Sequence, residues 1–88
     1  MKSIGLLSGI GRLPIEVAKA AKKMGISVYA VGLVDGVEAD LAKEVTDYKA
    51  ISIAQLGSII EYLKSNNVTD VIMIGKVTKE ILFTGQHA

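Results

Sequence analysis

Gly9 and Gly11 stand in a G-x-G spacing directly after a short apolar run, and Arg12, the only arginine of the chain, follows them. Pro14, the only proline, comes two residues later. Glycines let an anion approach backbone N–H groups closely, and a helix that starts there offers unpaired N–H groups and partial positive charge. Arginine adds a forked, permanent cation that matches phosphate oxygens. The chemistry these residue types support is the holding of a phosphate. A second pair, Gly75-Lys76, follows another apolar run and supplies a further glycine and cation. The candidate phosphate-binding set is therefore Gly9, Ile10, Gly11, Arg12, Leu13, Gly75 and Lys76.

The spacing covers two-thirds of a dinucleotide fingerprint, in which a third glycine would stand at position 14. Pro14 occupies that position, which alters helix–strand packing and counts against a standard NAD site. Glycine-rich turns of this kind also occur in sheets that bind nothing there. Asp35 lies after the second apolar run, close to where a dinucleotide site places its ribose-binding acid, but Asp35-Gly36 is also an ordinary turn pair. Asp40, Glu44 and Asp47 are spread along a helical stretch and its exit and read as a solvated face. His87 has no partner at ligand spacing. No Ser-His-Asp set, paired-carboxylate constellation or metal cluster is evident, so neither a catalytic nor a metal residue is assigned.

The elements that must position this loop follow from hydrophobic periodicity. Ser3 to Ser8 reads as a buried strand stopped by Gly9. Pro14 to Met24 reads as a helix, with Leu13, Val17, Ala20, Ala21 and Met24 at helical spacing and Gly25 as its left-handed terminus. Ile26 to Gly32 is a second strand, Val37 to Val45 a short helix and Tyr48 to Ile53 a third strand. Ser52 and Gln55 resemble a capping box before "QLGSIIEYLKS", whose Leu56, Ile59, Ile60 and Leu63 form an apolar stripe ended by Asn66-Asn67. Val71 to Ile74 is a fourth strand. The expected fold is α/β, a Rossmann-like three-layer βαβαβαβ unit. Its four-stranded parallel sheet is covered on both faces, with strand order 3-2-1-4 and 2-1-3-4 as the alternative. In the first order, strands 1 and 4 are neighbours at the switch point, so Gly75-Lys76 faces the same crevice as Gly9 to Arg12.

The chain has 88 residues, enough for one domain. Half of the residues are hydrophobic and aromatics are scarce, so the core must be aliphatic. Net charge is +1 without a basic block, which argues against a nucleic-acid partner. Lys19, Lys22 and Lys23 read as a solvated helix face. Cysteine is absent, so there is neither a disulfide frame nor a thiolate metal site. The apolar runs are too short to span a bilayer and no targeting segment is evident. Residues 1–77 read as the Rossmann-like domain and residues 78–88 as a tail or linker. The tail carries Ile81, Leu82 and Phe83, with nothing after them to cover them.

"IGLLSGIGRLPIEVAKAAKKMG", "VYAVGL" and "QLGSIIEYLKSNNVTDVIMIGKV", with Leu82-Phe83 after them, resemble the N-terminal domain of LpxI-type UDP-2,3-diacylglucosamine diphosphatases. The resemblance runs from about Ile4 to Phe83. Its most specific parts are Gly9-x-Gly11-Arg12-Leu13-Pro14, Gln55-Leu56-Gly57 and Gly75-Lys76-Val77. It implies one half of a two-domain cytoplasmic bacterial enzyme of lipid A biosynthesis, with a peripheral position at the inner membrane. Such an enzyme hydrolyses the pyrophosphate of a UDP-sugar lipid to UMP and 2,3-diacylglucosamine 1-phosphate (lipid X). It further implies Mg²⁺ for the full-length enzyme, held outside this chain, and acidic catalytic residues in a C-terminal domain that would be this chain's partner. The isolated chain is then expected to be inactive. The loop Gly9 to Pro14 and Gly75-Lys76 would form one wall of an interdomain cleft.

Two other readings stand beside this one. A nucleotide-binding Rossmann module would use Asp35 for a ribose. A non-catalytic domain would self-associate through residues 78–88, making the chain a homo-oligomer.

Overall fold

The computed structural model describes residues 2–76. Strand β1 (Ser3–Ser8) runs into helix α1 (Leu13–Lys23), strand β2 (Ser27–Gly32), a 3-10 turn (Ala39–Lys43), strand β3 (Asp47–Ala50), helix α2 (Leu56–Ser65) and strand β4 (Asp70–Ile74). The sheet is parallel throughout, as the alternation of apolar runs and amphipathic helices implies, and its order is β3-β2-β1-β4, the first of the two expected. The tail 78–88, with Ile81, Leu82, Phe83 and His87, lies outside the described residues.

Two clusters of aliphatic side chains sandwich the sheet. On one face Ile4 and Leu6 of β1 and Val28 and Ala30 of β2 pack with Ile15, Ala18 and Ala21 of α1 and with Leu41 of the 3-10 turn. On the other, Val31, Leu33 and Ile51 pack with Ile59 and Leu63 of α2. Gly5 permits the second contact, because a Cβ there would come within 2.6 Å of Leu63. Ser8, the buried polar residue of β1, donates its hydroxyl to the Leu6 carbonyl at 3.1 Å, which offsets its desolvation.

Several local expectations are corrected. The buried stripe of α1 is Pro14, Ile15, Ala18 and Ala21, whereas Leu13 and Met24 are 65% and 73% exposed. The two stripes share Ala21, and small alanines allow the helix to lie close to the sheet on the rotated one. The segment Val37 to Val45 shortens to the 3-10 turn around the single buried Leu41. Strand β3 ends at Ala50. The capping box is absent: Gln55 is the N-cap of α2 without a side-chain bond, and Ser52 instead accepts from the Ala54 N–H at 3.2 Å in a local turn. Gly25 (φ 74°) and Asn67 (φ 55°) do end the helices in the left-handed region.

The largest departure concerns β4. Among its side chains Ile74 alone packs against a core cluster of the described residues, and Val71 and Met73 are each more than half exposed. Both α1 and α2 pack over the β1–β2–β3 side of the sheet, so β4 up to Met73 stands as an exposed apolar edge among the described residues.

At the opposite edge, the Tyr62 hydroxyl of α2 donates to the Asp47 carboxylate of β3 at 2.7 Å, with the Lys49 ammonium 5.9 Å from the ring centre. Burial first, then the bond to Asp47 and its negative charge, holds the Tyr62 phenol well above the usual tyrosine range. A phenol whose folded pKa is raised contributes stability that is fully present below the unfolded value of about 10 and is lost as pH rises beyond it. Tyr62→Phe is therefore expected to cost about 1 kcal/mol at neutral pH. It should also flatten the loss of stability above pH ~10, as read by urea unfolding at stepped pH. An unchanged alkaline slope would show that the pair is not formed in solution.

Candidate phosphate site at the head of the first helix

The carboxyl ends of β1 and β4 are joined by main chain. The Gly9 N–H donates to the Ile74 carbonyl at 2.9 Å. Gly75 then takes φ 106°, a left-handed conformation that turns the chain back on itself. Lys76 consequently runs antiparallel to Ile10, and the two exchange N–H···O bonds of 2.8 and 2.9 Å. A Cβ on Gly9 would collide with the Lys76 carbonyl, and one on Gly75 would lie 2.8 Å from the Gly9 carbonyl carbon. These two glycines are required by each other. The switch-point crevice expected between strands 1 and 4 is thus bridged by backbone.

The open approach lies beside this bridge. Gly11, at φ 120°, has no atom within 4 Å of where its Cβ would be. Arg12 is the N-cap of α1, and its carbonyl takes the Ile15 and Glu16 N–H groups at 3.0 and 3.2 Å. Pro14 has no N–H to offer. Among the described residues, the N–H groups of Gly11, Arg12 and Leu13 have no hydrogen-bond acceptor, and they sit at the positive end of the helix. The Arg12 and Lys76 side chains are exposed and neither makes an ion pair among the described residues. The arrangement can accept an anion from the α1 side without displacing any existing contact.

All seven residues named from the sequence therefore fall at one end of the sheet, but in different roles. Gly9, Ile10 and Gly75 are the backbone clasp. Gly11, Arg12 and Leu13 are the open donors, and Lys76 contributes its main chain to the clasp and carries an exposed side chain. The clasp was not read from the sequence. Its signal was available: two glycines each follow strands that the 3-2-1-4 order makes neighbours.

Asp35 is exposed in the turn after β2, and Gly36 of that turn lies against Ile10. Asp35 lines a cavity of about 230 Å³ with Gly32, Ala50 and Ser52, at the carboxyl ends of β2 and β3. Among the described residues no group of three or more His, Cys, Asp or Glu side chains could hold a metal ion, so these residues do not fit the Mg²⁺ that the resemblance implies.

A family model described as the LpxI N-terminal domain matches residues 3–87. The chain belongs to this family. No curated protein matches the chain. Membership in the LpxI N-terminal domain family makes the chain a domain related to an enzyme of lipid A biosynthesis, and a domain of a larger protein. In this LpxI N-terminal domain no described helix is long and apolar enough to cross a membrane.

Proposed function

We propose that the chain is the substrate-binding domain of a UDP-2,3-diacylglucosamine pyrophosphatase and that it holds the substrate's pyrophosphate at the head of α1. The observation that carries this reading is the set of unpaired N–H groups at Gly11, Arg12 and Leu13 beside the exposed Arg12, in a chain of the LpxI N-terminal domain family. The amides and the helix end would neutralise part of the phosphate charge, Arg12 would fork onto two oxygens, and Lys76 would act as a second cation on the rim. Hydrolysis to UMP and lipid X, and the Mg²⁺ it uses, belong in this reading to residues outside the chain. The chain itself is inactive and works in the cytoplasm at the inner face of the membrane.

A titration of the isotope-labelled chain with UDP, with and without Mg²⁺, tests the proposal. Amide shifts should concentrate at Gly11 to Leu13, with smaller ones at Gly75-Lys76. Shifts absent at these positions with saturating UDP would refute it. The cavity beside Asp35 favours a second reading, a nucleotide module with a ribose on that acid. NADH shifts centred on Asp35 and abolished by Asp35→Ala would support that reading instead.

A further inference from the structure

The sheet ends on one side at β3, whose outer edge carries N–H and C=O groups without a strand partner among the described residues. Asp47 and Lys49 both lie on the α2 face of this strand. The Tyr62 hydroxyl of α2 bonds the first, and the ammonium of the second is 5.9 Å from the centre of the Tyr62 ring. Both residues are exposed, and neither makes an ion pair among the described residues. A groove of about 540 Å³, lined by Lys49, Gln55, Ser58, Glu61 and Tyr62, opens beside them. The side chains of a facing strand therefore find space there, and a second acid in Glu61. The edge offers one acid and one base, two residues apart, to whatever lies against it.

We infer that this edge pairs with the same edge of a second copy of the chain. Symmetry restricts how. A two-fold axis normal to the sheet sets the two β3 strands antiparallel and leaves both α2 helices on one face. Residues directly opposite each other in such a pair share a face, so the axis passes a residue and not the gap between two. An axis at Asp47 or at Lys49 sets like charges against each other, which is destabilising. An axis at Tyr48 sets Asp47 of each copy against Lys49 of the other, and both charges are compensated at once. An edge lysine ordinarily deters pairing. Here the acid two residues before it turns the lysine into the device that selects one register. The charge pattern of β3 is thus complementary to itself under the symmetry that a dimer needs.

A four-residue edge with two ion pairs is a small, transient interface, so the test is sedimentation equilibrium at up to about 1 mM chain. Monomer and dimer should both be present at low salt, and the dimer should recede as salt is added. Amide shifts that follow concentration should gather at residues 46–50 and spare β4. Lys49→Asp sets acid against acid twice and should weaken association at least ~10-fold. Asp47→Lys should do the same by setting lysine against lysine. An equimolar mixture of the two variants should restore the dimer, because each aspartate of one then meets a lysine of the other. Lys49→Asp keeps the Asp47–Tyr62 bond, so it answers even where Asp47→Lys fails to fold. A wild-type chain that stays monomeric at this concentration overturns the inference. A dimer that Lys49→Asp leaves intact overturns it too, and moves the contact elsewhere, with the apolar β4 edge as the next surface to test.

Discussion

Gly9→Ala is expected to destabilise the domain by about 3 kcal/mol, the upper end for forcing a methyl into a packed site. The Cβ would meet the carbonyl of Lys76 and lie 2.9 Å from the Gly75 carbonyl carbon, both backbone atoms that no rotamer change can move. Relief requires separating the two strand ends, which breaks the Gly9–Ile74 bond and the reciprocal Ile10–Lys76 bonds together. For a domain of this size the midpoint of thermal unfolding should fall by roughly 10–20 °C. Hydrogen exchange at the Gly9 and Lys76 amides should accelerate more than exchange in β2. Gly57→Ala is the control, because nothing lies within 4 Å of its Cβ position, and it should leave the midpoint unchanged or slightly raised. Equal midpoints for the two variants would mean that the clasp does not hold the strand ends together.

Arg12→Ala should separate binding from stability in the opposite way. The side chain is exposed and makes no ion pair among the described residues, so unfolding should shift by no more than ~0.5 kcal/mol. Loss of charge-assisted bonds to phosphate oxygens should weaken UDP binding roughly 10- to 100-fold. Arg12→Lys should recover only part of this, since an ammonium cannot fork onto two oxygens. Raising the salt concentration should narrow the gap between wild type and Arg12→Ala, because exposed charges are screened. Calorimetric titration of the three proteins at two salt concentrations reads all of these effects. Unaltered affinity in Arg12→Ala would remove the cation from the site and leave only the helix amides as a phosphate cradle.

Both results turn on one loop in which two glycines, separated by Ile10, do different work. Gly9 is a packing requirement set by a distant segment of chain, whereas Gly11 is an opening toward solvent. A G-x-G spacing cannot tell these apart, since the difference arises from what lies across from each residue.

Much of the architecture follows from local pattern alone. Apolar runs of strand length alternate with amphipathic stretches, and this dictates a parallel sheet with crossover helices. The placement of Gly9 to Leu13 and of Gly75-Lys76 at the carboxyl ends of strands follows from the same alternation. Helix ends were legible at Gly25 and Asn67, because a left-handed residue is a local conformational need. Tertiary packing decided the rest. It chose the Ile15–Ala18–Ala21 stripe of α1 over the one ending in Met24, because the alanine face allows closer approach to the sheet. It paired Tyr62 with Asp47 across fifteen residues and joined Gly9 to Ile74 and Ile10 to Lys76 across most of the chain. It also left Val71 to Met73 of β4 exposed among the described residues, because both helices cross over the other three strands. Periodicity reports which side of an element is apolar, and only the meeting of distant segments determines what that side is packed against.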